Sequence, residues 1–150
     1  MNHPNFTKVT VIDGTGSENI LENIGDPTSV EWVVIEDTRE GYKFKLHKKE
    51  LGELSWRKAI NAAAGRIAGG RIGTRHELIC VFNAVKTAGL NDLLKAVGGD
   101  TIAPYWHWTE EEYDDPQYSA TYAWYVGLLN GNVYRGTKTR GYQVRLISAF

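Results

Sequence analysis

The chain has 150 residues, 42% apolar and 23% charged. That composition excludes intrinsic disorder and at this length supports one globular core. Its 17 basic and 18 acidic side chains leave a net charge of -1, so no general attraction to nucleic acid or to an anionic membrane follows. A single cysteine, Cys80, excludes an internal disulfide.

The polar start, Met1-Asn2-His3-Pro4-Asn5, is not followed by a signal-like apolar run. No stretch approaches the roughly 18 apolar residues that a membrane span requires, so no membrane insertion is expected. A role outside the cell would then need another route, such as carriage on a virion. Otherwise the protein is expected to be cytoplasmic.

In chain order, Lys8 to Ile12 alternates Val9 and Val11 with polar neighbours and reads as a strand. Asp13-Gly14-Thr15-Gly16-Ser17 is a turn, and Asn19 to Gly25 has the makings of a short helical turn. Asp26-Pro27-Thr28-Ser29 marks a boundary. Residues 1–28 are therefore read as an N-terminal strand or assembly arm, and residues 29–150 as the main domain. Val30 to Ile35 is a β-branched apolar run, hence a buried strand. Tyr42, Phe44 and Leu46 alternate with Lys43, Lys45 and His47, the period of a half-exposed strand. Lys43, Lys45, Lys48 and Lys49 read as a solvated edge that discourages sheet pairing.

Ser55 opens a helix whose apolar stripe is Trp56, Ala59, Ile60, Ala63 and Ile67, ended by Gly69-Gly70. Thr74 and Glu77 predict a capping box for a second helix, with Leu78, Val81, Phe82 and Val85 on its buried face. Leu90 to Val97 is a third short helix or an irregular segment. After Ile102 the pattern changes to strands: Tyr105 to Thr109, Ala120 to Leu129, Gly131 to Arg135 after an Asn130-Gly131 turn, and Tyr142 to Phe150. Strands, helices, then strands indicate an α+β fold.

The aromatic residues are unevenly placed. Of 17 Phe, Trp and Tyr, 11 lie after residue 100, including seven of the eight Tyr. Tyr joins an apolar body to a polar tip and favours interfaces. The candidate binding surface is therefore His107, Trp108, Tyr113, Asp115, Gln117, Tyr118, Tyr122, Tyr125, Tyr134, Arg135, Arg140 and Tyr142. The plainer alternative is an exposed β-surface with no ligand. Rigid aromatic anchors beside small polar groups make the mixture that antibody paratopes use. Glu110-Glu111-Glu112 with Asp114-Asp115 reads as a solvated acidic loop rather than a calcium site. The four His share no metal-ligand spacing, and Cys80 reads as a buried inert thiol with no visible activating base. No metal or other cofactor is expected.

An ordered series of short motifs adds to this reading. Trp56 with Ala59, Gly69-Gly70 before Arg71, Thr74-x-x-Glu77-Leu78, Tyr105-Trp106-x-x-Thr109-Glu110, Ala123-Trp124-x-Val126, Asn130-Gly131-x-Val133, Lys138 and the ending Val144-Arg145-x-Ile147-x-Ala149-Phe150 resemble bacterial and phage domains of C-type lectin fold. Among these, the series is most similar to the variable proteins of diversity-generating retroelements. The chain departs from the family pattern in having Arg71-Ile72-Gly73 where a Trp and a Pro are usual, and His107-Trp108 where serines are common.

The resemblance implies two helices with a mostly antiparallel sheet and pairing of the first and last strands. It also implies a variable carboxy-terminal surface that binds a host protein or glycan, displayed on a phage tail fibre or bacterial surface. Trp106, Trp124, Val144 and Phe150 are assigned to its scaffold. The calcium signatures Glu-Pro-Asn and Trp-Asn-Asp are absent. Formylglycine-generating oxidases share this kind of fold but need a cysteine pair, so a non-enzymatic binding protein is expected. The alternative is a virion or adhesin module that uses its aromatic face to form a homo-oligomer.

Overall fold

The computed structural model describes residues 6–150; the Met1 to Asn5 start lies outside them. In chain order the elements are β1 (Thr7–Ile12), β2 (Glu18–Asn19), β3 (Trp32–Asp37), β4 (Tyr42–Leu54), α1 (Trp56–Arg66), α2 (Arg75–Thr87), α3 (Leu90–Ala96), β5 (Trp106–Glu112), β6 (Tyr122–Gly127), β7 (Asn132–Thr137) and β8 (Tyr142–Ala149). The fold is α+β with a mixed eight-stranded sheet, ordered β2-β1-β3-β4-β8-β5-β6-β7. All pairings are antiparallel except β5 with β8.

Helices cover both faces of the sheet, and strand alternation assigns side chains to each. On β8, Tyr142, Val144 and Leu146 join Trp56, Ala59 and Ala63 of α1 in one core. Ile147 joins Leu78, Val81 and Ala84 of α2, with Leu90 and Leu94 of α3, in the other. We call these the α1 side and the α2 side. The expected capping box opens α2: Glu77 N–H donates to Thr74 Oγ1 at 3.1 Å, and Thr74 N–H donates to Glu77 Oε1 at 2.9 Å. The Glu77 carboxylate also accepts from Arg71 and from the Tyr42 hydroxyl.

Several expectations change. The first and last strands do not pair: β1 lies between β2 and β3, while β8 lies between β4 and β5. Val11 of β1 is fully buried, so β1 is built into the sheet rather than projecting as an arm. The short helical turn expected within Asn19 to Gly25 is present, as a 3-10 turn at Leu21–Asn23 that follows the two-residue β2. Strand β4 continues to Leu54, seven residues beyond the visible alternation at His47; register shifts against β8 between Leu46 and Gly52 break its period.

The lysines of β4 do not form an edge, because β4 pairs with β3 and β8. Lys48 is buried, donating to the carbonyls of Thr28 at 2.8 Å and Val97 at 3.0 Å. Phe150, assigned to the scaffold, is 57% exposed beneath the ammonium of Lys43.

The segment between α1 and α2 runs along β8. Arg71 N–H donates to the Ile147 carbonyl at 3.0 Å, and Ile147 N–H returns the bond at 2.7 Å. Gly73 has a positive φ of 90°, and a Cβ there would lie 2.6 Å from Ile147 Cδ1. The positive φ favours glycine at this crossing.

Candidate functional site

A buried polar centre holds the middle of the sheet. Arg145, 2% exposed, donates to the carbonyls of His47 at 2.9 Å, Lys48 at 2.6 Å and Asp100 at 2.7 Å, and to Glu50 at 2.9 Å. The second oxygen of Glu50 lies 3.1 Å from His107 Nε2. This centre fixes β4, β8 and β5 in one register. His107 therefore serves the interior rather than the binding surface. Trp108 is likewise fully buried, its indole N–H donating to the Leu54 carbonyl at 3.0 Å. Both sit on β5, an interior strand between β8 and β6.

The remaining predicted residues divide between opposite sides, because alternate residues of β6 and β7 project oppositely. On the α1 side, Tyr125 packs on Tyr142 with ring centroids 4.6 Å apart and on Tyr134 at 5.3 Å. Trp106 closes this group, 5.5 Å from Tyr125 and 5.4 Å from Tyr142. Trp106 is 49% exposed, so it is presented rather than part of the core. Tyr125 and Tyr142 are nearly buried and form a floor. Burial pushes the Tyr125 hydroxyl up to about 12, with the neighbouring Tyr142 adding to the effect; it stays a neutral hydrogen-bonding group.

Beside Trp106 and Tyr142 opens a cleft of about 750 Å³, lined by Glu53, Tyr105, Trp106, Leu129, Asn130, Arg140, Tyr142 and Gln143 among others. A shallower hollow of about 350 Å³ shares Trp106, Arg140 and Tyr142 with it. Tyr105 and Leu129 are 65% and 66% exposed. The larger cleft is within the range of small-ligand sites, about 300–1,000 Å³. Its walls offer aromatic faces for stacking, one carboxylate, one guanidinium and two carboxamides. Composition had directed attention to Arg140 and Tyr142 but not to Glu53, Asn130 or Gln143.

On the α2 side, Tyr113, Tyr122 and Trp124 form a second aromatic group. Here the rings are already occupied. Arg135 lies 4.9 Å over both Tyr113 and Tyr122, and Arg75 lies 4.7 Å over Trp124. The Trp124 N–H donates to Asp114 at 3.2 Å. Trp124, assigned to the core, is half-buried beneath this arginine. Tyr118 joins through Tyr122, while Asp115 and Gln117 form a local turn in which Gln117 N–H donates to Asp115 at 3.0 Å.

The acidic run nearby is engaged in ion pairs. Glu111 pairs with Arg75 at 3.1 Å and Glu112 with Lys138 at 2.7 Å. Glu110 lies 3.9 Å from Arg71.

Cys80 is buried as expected, and burial, with Asp37 and Glu77 nearby, pushes its thiol up to about 12. It is not poised as a nucleophile. Its neighbour, though, is His76, 3.7 Å away, one helical turn earlier; the two belong to one face of α2. No helix among the described residues is long and apolar enough to cross a membrane.

No protein-family model matches the chain, and no curated protein matches it.

Proposed function

We propose that this chain is a non-enzymatic ligand-binding protein of C-type lectin fold, displayed on a phage or bacterial surface, whose α1-side cleft recognises a host protein or glycan. The observation that carries this reading is the half-exposed Trp106, packed on Tyr125 and Tyr142 at the mouth of an open cleft. Exposed aromatics over a packed base lose little conformational entropy on binding, so most of the contact energy remains available. Stacking faces flanked by Glu53, Asn130, Arg140 and Gln143 suit a sugar ring or a polar protein loop. Support for the fold reading is the order of elements, with two long helices preceding the β5–β8 strands, and the motif series that continues into β8.

The test uses the purified chain against a printed glycan array and a panel of immobilised host-surface ectodomains. Wild-type protein is expected to bind members of one of the two panels. Trp106→Ala combined with Arg140→Ala is expected to weaken that binding by about 30-fold or more, the effect of losing a central anchor. Undiminished binding would place the site elsewhere. Light scattering adds a second check. A monomer fits an open receptor site, whereas an oligomer that protects Trp106 from quencher would favour the assembly module.

A further inference from the structure

A second cluster shares no residue with the cleft. His76 and Cys80 are four residues apart in α2 and occupy one helix face. Asp37, the last residue of β3, meets that face. His76 Nε2 lies 3.7 Å from Cys80 Sγ and 3.8 Å from Asp37 Oδ2. The ligand atoms of all three fall within 4.8 Å of one another. A carboxylate oxygen of Glu40 is 3.9 Å from the same nitrogen.

This geometry distinguishes two chemistries. A nucleophilic relay uses both ring nitrogens, one toward the thiol and one toward the orienting carboxylate. Here a single nitrogen faces thiol and carboxylates together. Groups that converge on one point are arranged as ligands around a cation. Zinc bonds of about 2.0–2.2 Å to N and O and about 2.3 Å to S place neighbouring ligand atoms of a tetrahedron about 3.3–3.8 Å apart. The observed 3.7 and 3.8 Å separations are of that size.

A thiolate and an imidazole select zinc-like cations over magnesium or calcium, which take oxygen ligands. The surroundings orient the ligands. Asp37 uses its other oxygen to accept from Arg39 N–H at 3.1 Å, and the Tyr42 ring packs against the His76 imidazole, centroids 5.7 Å apart. Asp37 and Cys80 are buried while His76 is exposed. A small cavity of about 190 Å³ reaches Asp37 and Cys80 from outside.

We propose that Asp37, His76 and Cys80 form a site for a zinc-class divalent cation, with Glu40 turning in as the fourth ligand, and that the ion ties α2 to the β3–β4 corner. On binding, the Cys80 proton passes to solvent, and thiolate, two carboxylates and a neutral imidazole surround the ion.

The test titrates cobalt(II) and then zinc into the metal-stripped full chain. One cobalt per chain is expected, with tetrahedral d–d absorption and a thiolate-to-cobalt charge-transfer band that zinc abolishes. Zinc is also expected to raise the melting temperature. His76→Ala and Cys80→Ser should each weaken zinc binding by about 100-fold or more. Melting in chelator reports whether each variant folds; if Cys80→Ser does not, His76→Ala, at an exposed ring, decides alone. Wild-type protein lacking the charge-transfer band, or zinc affinity unchanged in His76→Ala, would overturn the site.

Discussion

The two sides of the β5–β6–β7 sheet carry similar side chains to different ends. On the α2 side, Tyr113, Tyr122 and Trp124 are covered by Arg135 and Arg75, and the neighbouring carboxylates are ion-paired. On the α1 side, Trp106 stands half exposed over Tyr125 and Tyr142 beside an open cleft. Both are tyrosine-rich, so composition cannot separate them. What separates them is whether each ring's face is already covered by a cation from the same chain.

The largest effect is expected from the centre that supports both sides. Arg145→Ala removes five hydrogen bonds to protein and leaves the part-buried Glu50 without its guanidinium, at a cost of about 3–5 kcal/mol. Chemical denaturation should show it, and Arg145→Lys should recover only part, because an ammonium cannot reproduce the fork.

Next, the α2 side is held by charge and should respond to acid. Burial opposes ionisation of Glu77, but Arg71, Tyr42 and the Thr74 N–H outweigh it and hold its carboxyl below the ordinary 4.5. A depressed folded value stabilises above pH 4.5 and is lost as pH falls below it. Glu77→Gln is expected to cost about 2–3 kcal/mol at pH 7 and to flatten the fall in melting temperature between pH 5 and 3 (approximate limits set by the carboxylate range). An unchanged acid slope would contradict this assignment.

Gly136→Ala tests the floor. A Cβ there would lie 2.9 Å from the Tyr125 ring and 3.0 Å from the Tyr142 ring, so a destabilisation of about 1–3 kcal/mol is expected, together with weaker ligand binding as the rings beneath Trp106 shift. The smallest effect belongs to Tyr113→Ala with Tyr122→Ala. Loss of two half-exposed cation–π contacts should cost about 1–2 kcal/mol of stability and leave ligand affinity within about two-fold. A large loss of affinity would mean that the α2 side carries the site.

Much of the fold is legible in sequence where local rules decide it. The capping box of Thr74 and Glu77, the stripe of α1, the apolar run of β3 and the alternation of Tyr42, Phe44 and Leu46 in β4 all follow from the local pattern. The misassignments occur where tertiary pairing decides. β5 is an interior strand, which buries His107 and Trp108. Trp106, two residues from Trp108 on the same side, lies at the open end of that side and is presented. Nothing in the local pattern of Tyr105 to Thr109 distinguishes these fates. The cleft residues Glu53 and Gln143 are register partners across β4 and β8, a pairing set by shifts in β4 that spacing does not reveal. His76 and Cys80 are visible as an i, i+4 pair, but Asp37 reaches them only through the packing of β3 on α2.

The central claim, that the α1-side cleft is the binding surface, is tested most directly by a paired comparison on one ligand. A glycan or ectodomain bound by wild-type protein is measured against Trp106→Ala/Arg140→Ala and against Tyr113→Ala/Tyr122→Ala. Loss of binding by the first variant and retention by the second, with both still folded, is the predicted result. Retention by the first and loss by the second would contradict it.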